Sequence, residues 1–69
     1  MIIRFSKELY TLKAVEKAIK DYNSLAILEI KNNKDSIEVR ANDINSDIKD
    51  IFEDEFCNYV LSEVRINSL

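Results

Sequence analysis

Leu25-Ala26-Ile27-Leu28-Glu29-Ile30-Lys31-Asn32-Asn33-Lys34-Asp35-Ser36-Ile37-Glu38-Val39-Arg40-Ala41 sets two apolar-rich runs around a polar centre, and its reading decides the fold. Residues 36–41 alternate, with Ile37, Val39 and Ala41 on one side and Glu38 and Arg40 on the other, as in a strand with one wetted face. Residues 25–31 are apolar on both sides: Ala26, Leu28 and Ile30 on one, Leu25 and Ile27 on the other. The polar centre, residues 32–35, is a hairpin turn. A loop of two or four residues sets Ala26, Leu28 and Ile30 beside Ile37, Val39 and Ala41, whereas three would oppose apolar to charged side chains. An even loop is therefore expected.

Working outward, residues 1–5 read as a short strand, with Ile3 and Phe5 on one face and Ile2 and Arg4 on the other. Leu12, Val15, Ile19 and Tyr22 then recur at helical spacing, beside Ala14 and Ala18, while Lys13, Lys17 and Lys20 take a different face. Thr11 is the expected N-cap, Tyr10 a hydrophobic staple against Ala14 or Val15, and Asn23-Ser24 a left-handed or turn-type exit. After a polar connector at residues 42–46, a second helix is expected over residues 47–66, with its acids crowded where the helix dipole favours them. Its apolar arc, Ile48, Ile51, Phe52 and Tyr59 joined by Phe56, Val60, Leu61 and Val64, is wider than one contact surface requires.

The order β-α-β-β-α defines a single α+β domain over residues 1–69, a three-stranded sheet with two helices packed on one face. Two strand orders fit: the third strand central with every pairing antiparallel, or the second central with the first two parallel around a right-handed crossover. In both, the uncovered face carries Ile2, Leu25, Ile27, Arg4, Glu29, Glu38 and Arg40. A mixed patch of that kind on so small a protein suggests association.

Composition narrows function further. The chain has no histidine, glycine, proline or tryptophan and a single cysteine, so the common acid–base, metal and phosphate-loop chemistries lack their parts. Domains of 69 residues bury a modest core worth roughly 3–5 kcal/mol and commonly recruit disulfides, metals or another subunit. One cysteine leaves a protein partner or homo-oligomerisation. Residues 1–22 carry Arg4, Lys7, Lys13, Lys17 and Lys20 against Glu8, Glu16 and Asp21; residues 43–69 carry seven acids against Lys49 and Arg65, and the net charge is −3. An acidic domain of this kind is ill suited to nucleic acid. With no apolar run near the ~20 residues of a membrane span and no secretory leader, the expectation is a cytoplasmic protein that does not engage the membrane.

No residue is expected to be catalytic, and no cofactor or metal is expected. Cys57 lacks a base, and its acidic neighbours disfavour the thiolate, so it reads as a packed thiol. Asp50, Glu53, Asp54 and Glu55 splay around one helix rather than converge on an ion, and Lys13, Lys17 and Lys20 read as a solvated face with a Glu16–Lys20 pair. The partner-binding candidates are Arg4, Leu25, Ile27 and Arg40 on the open sheet face and Val60, Leu61 and Val64 on the surplus arc of the second helix.

Phe5-Ser6-Lys7-Glu8-Leu9-Tyr10-Thr11-Leu12, followed by Ala14, Lys17 and Ala18, resembles the opening of the HxsD family of His-Xaa-Ser system proteins, which are associated with radical S-adenosylmethionine maturases of ribosomally made peptides. Glu55-Phe56-Cys57-Asn58-Tyr59-Val60-Leu61 resembles that family's second helical segment. The resemblance implies a non-enzymatic accessory protein that holds a precursor peptide or bridges it to the maturation enzyme. The alternative drawn from the residues alone is a structural homodimer or an adaptor subunit of a larger complex.

Overall fold

The computed structural model describes residues 1–67. Five elements follow in the expected order: β1 (Ile2–Ser6), α1 (Leu12–Tyr22), β2 (Ile27–Asn32), β3 (Ser36–Asn42) and α2 (Phe52–Asn67). The three strands form one antiparallel sheet in the order β1-β3-β2, the first of the two arrangements that sequence left open. The fold is therefore α+β, with the last strand between the first two.

The hairpin parity is as expected. Leu28 faces Ala41, Ile30 faces Val39 and Asn32 faces Ile37, and the Asn33 amide donates to the Ser36 carbonyl at 2.9 Å, which closes a two-residue turn at Lys34-Asp35. On the other side of β3, Ile3 faces Val39 and Phe5 faces Ile37. One face of the sheet is thereby apolar across all three strands, and Ile3, Phe5, Ile37, Val39 and Ala41 are buried beneath the helices.

Thr11 caps α1 as expected. Its backbone is extended and its hydroxyl accepts from the Ala14 amide at 3.1 Å, satisfying one of the amides that a helix start leaves unpaired. Ala14, Val15 and Ala18 are fully buried, and the two alanines let the helix approach closely. The exit is a right-handed turn: Asn23 keeps φ −66°, and the Leu25 amide reaches back to the Tyr22 carbonyl. Tyr10 packs edge-on against Phe5, with ring centroids 5.0 Å apart.

The second helix differs from the expectation of residues 47–66 by starting at Phe52. Residues 46–51 are successive turns. The Asp47 amide is taken by the Asn45 side-chain oxygen, and the Ile48 and Ile51 amides bond three residues back. A local side-chain acceptor competes with α-helical bonding in this way. The connector is tied to the sheet entry by the Asn45 amide, which donates to the Leu25 carbonyl at 2.8 Å. Just before it, Asp43 takes a left-handed φ of 50°, a conformation that short polar side chains tolerate.

An aromatic cluster joins the layers. The Tyr22 ring stands edge-on to Phe52, Phe56 and Tyr59, with centroids 5.3 to 6.0 Å away. Phe56 stacks on Phe52 at 5.6 Å and reaches Phe5 of the sheet at 6.2 Å. Such pairs add about 0.5–1.5 kcal/mol each beyond area burial. Truncating the shared ring removes several at once. Phe56→Ala is expected to cost about 3–5 kcal/mol, enough to unfold much of a domain this small, whereas Ile66→Ala at an exposed site should stay within about 0.5 kcal/mol. Urea denaturation followed by circular dichroism measures both.

Candidate interaction surface

The helices leave the second face of the sheet bare. Its side chains run Ile2, Arg4 and Ser6 on β1, Ser36, Glu38, Arg40 and Asn42 on β3, and Ile27, Glu29 and Lys31 on β2. Arg4 faces Glu38 and Lys31 lies beyond it in the same row; Ile2 faces Arg40 and Glu29 lies beyond that. Charge thus alternates in sign across the Arg4–Glu38–Lys31 row, and Arg40 and Glu29 are opposite in sign in the next.

Glu38 sits at the centre. It is 7% exposed although it lies on the open face, because Arg4 Nε donates to one of its carboxylate oxygens at 3.3 Å and Arg40 Nε to the other at 3.4 Å. Two guanidinium groups share one carboxylate, so the group keeps a net positive charge. The Arg4 guanidinium, opposed by desolvation and joined by Arg40, holds the Glu38 carboxyl below the usual range. A carboxyl lowered on folding stabilises the fold above its unfolded titration range, and that contribution disappears as pH falls through the folded value. Glu38→Gln should therefore destabilise the protein most at neutral pH, with the gap to the unmodified chain closing on acidification. Urea midpoints measured from neutral to strongly acidic pH test this.

The hydrogen-bond alternation of antiparallel pairs identifies the backbone groups left over at each edge. The Met1 nitrogen donates to the Ala41 carbonyl and the Ala41 amide to the Met1 carbonyl, and the Lys7 amide donates to the Asp35 carbonyl. Odd-numbered positions of β1 therefore turn towards β3, and the amides and carbonyls of Ile2 and Arg4 and the amide of Ser6 turn outward, while the Ser6 carbonyl accepts from the Leu9 and Tyr10 amides. The bond from Asn33 to Ser36 puts the odd positions of β2 against β3 in the same way. Leu28, Ile30 and Asn32 then present their backbone at the opposite edge. Beside them Ile27 is 55% and Ile30 40% exposed.

The partner-binding residues anticipated from sequence separate into two sets. Arg4, Ile27 and Arg40 lie on the open face as expected. Leu25 does not: it precedes β2 in a turn, where strand alternation has not begun, and it lines a cleft of about 200 Å³ with Tyr22, Ile48, Ile51, Phe52 and Glu55 on the helix side. Val60 is fully buried, Val64 packs against the core and Leu61 is half-buried. Much of the surplus arc on α2 is therefore interior. Glu29 and Lys31 gain importance from the register, a signal already carried by the hairpin parity.

One lysine of the basic strip of α1 is tied down, while Lys13 and Lys20 are exposed. Lys17 pairs with Asp21, one turn on, in place of the expected Glu16–Lys20 pair, and Asp21 also accepts from the Tyr59 hydroxyl. Lys17 and then Tyr59 lower the Asp21 carboxyl, and Lys17 itself is raised, chiefly by Asp21. The link fastens α1 to α2 at the surface.

Cys57 is half-buried; burial first, then Glu53 and Asp54, push its thiol up. Its alkylation at neutral pH should run slower than that of free cysteine, and a faster rate by mass spectrometry would contradict this placement. Among the described residues no cluster of three metal-ligating side chains occurs, and no helix is long and apolar enough to cross a membrane. No family model matches the chain, and neither the curated proteins nor the solved structures contain a match.

Proposed function

We propose that this protein is a non-enzymatic accessory that recognises an extended peptide along the β1 edge, the precursor peptide of a radical S-adenosylmethionine maturation system or a segment of the maturase itself. The observation that carries the reading is the run of outward backbone groups, the amides and carbonyls of Ile2 and Arg4 and the amide of Ser6, beside the Arg4–Glu38–Arg40 group. An added strand takes its affinity from such main-chain groups and its specificity from alternate side chains. A carboxylate opposite Arg4 complements the surplus positive charge there, and Ile2 offers an apolar neighbour. The resemblance of residues 5–18 and 55–61 to HxsD proteins supports the choice of partner, and the lack of histidine supports a role by contact.

A second reading, a homodimeric subunit, is favoured by a different observation: Ile27 and Ile30 are exposed on β2 beside unpaired backbone groups. The two readings use opposite edges and are compatible.

Titration of the isotope-labelled protein with a precursor leader peptide should shift the amide resonances of Ile2, Arg4 and Ser6. Arg4→Glu should weaken binding about tenfold, the equivalent of about 1.4 kcal/mol. Unchanged β1 resonances at millimolar peptide would remove the peptide reading.

A further inference from the structure

The β2 edge is complementary to itself in one register. Leu28, Ile30 and Asn32 turn their amides and carbonyls outward, so a second copy adding antiparallel to β2 must set one of these residues opposite another of them. If a two-fold axis passes through Ile30, Ile30 meets its own copy, Leu28 meets Asn32, and Glu29 and Lys31 of one chain lie opposite Lys31 and Glu29 of the other. Shifting the register by one step towards Leu28 sets Glu29 against Glu29; shifting it towards Asn32 sets Lys31 against Lys31. Like charges directly opposite are destabilising. Registers centred on Leu28 or Asn32 leave these charges facing Ile27 or Asn33.

Among the alignments that backbone parity allows, two independent features therefore agree on one: the Glu29–Lys31 charges and the exposed Ile30, which would be covered on the helix face. The row of alternating charge also continues across the junction. It runs Arg4, Glu38, Lys31 in one chain and then Glu29, Arg40, Ile2 in the next. β1 lacks this property, since full overlap of two β1 edges sets Arg4 against Arg4.

We propose that two copies of this chain join through β2 in the register centred on Ile30. The product is a six-stranded antiparallel sheet with four helices on one face and a continuous open face bounded by two β1 edges. The proposal rests on the homodimer reading above and gives it an edge and a register. It leaves both β1 strands free for peptide.

Charge reversal tests it by sedimentation. The unmodified protein should sediment at twice the 8.1 kDa of one chain. Glu29→Lys and Lys31→Glu should each sediment as single chains, because each opposes like charges at both ends of the contact. An equimolar mixture of the two should recover the doubled mass, since a chain with two lysines then faces a chain with two glutamates. The double swap Glu29→Lys with Lys31→Glu should recover it alone. Because Glu29 also faces Arg40 and Lys31 faces Glu38 within the chain, dispersed amide spectra first identify the folded variants. Ile30→Lys, at a position that faces Val39 in its own chain, sets lysine against lysine on the axis; it should sediment as a single chain and is the deciding measurement where a charge variant fails to fold. A single-chain mass for the unmodified protein at millimolar concentration overturns the dimer altogether. A doubled mass that persists in both folded single variants or in Ile30→Lys, or a folded mixture and a folded double swap that stay monomeric, overturns this edge and register while leaving association through another surface.

Discussion

The structure depends on β3 using its backbone alternately in two directions. Ile37, Val39 and Ala41 bond to β1, while Ser36, Glu38, Arg40 and Asn42 bond to β2. That arrangement satisfies the amides and carbonyls of the central strand, and it dictates which groups remain on the outer strands. The same parity that sends Ile37, Val39 and Ala41 into the core brings Glu38 and Arg40 to the open face. Core, surface and edges thus follow from one strand, and a slip of one residue would invert all three.

The helices are fixed over this sheet by a few large side chains. Phe5, Phe52 and Phe56 are fully or almost fully buried, and Tyr22 brings α1 into contact with both phenylalanines of α2 while keeping its polar end at the margin. Alanines at positions 14 and 18 contribute little buried area but permit the close packing on which the ring contacts rely. Ile27 turns to the face that the helices leave bare, and Ile30 lies on the helix face of an outer strand, which accounts for their exposure at the edge.

Glu38 illustrates how burial and polarity coexist on a face that meets solvent. Its accessibility is removed by the arginines on either side rather than by another layer of protein, so desolvation is offset by charge-assisted hydrogen bonds in place. The arginines remain largely exposed, free to engage a further carboxylate. The open face is therefore a patterned surface of alternating charge with isoleucines at two of its corners, and the pattern extends to the strand edges where another chain can add.

Much of this was legible in the residues themselves. The alternation of residues 36–41, the helical spacing from Leu12 to Tyr22, the Thr11 cap and the even hairpin loop are local properties, set by side-chain periodicity and turn chemistry within a few residues. They determined the five elements, the α+β class and the placing of Arg4, Ile27 and Arg40 on the open face. Strand order was a tertiary decision, because both orders bury the same residues and differ only in long-range pairing. So were the late start of α2, where Asn45 captures the Asp47 amide, the turn that takes Leu25 off the sheet face, and the burial of Val60. The free β2 edge beside Glu29 and Lys31 belongs to the same class: sequence supplies the two charges, but only the pairing of β2 with β3 determines which backbone groups face outward beside them.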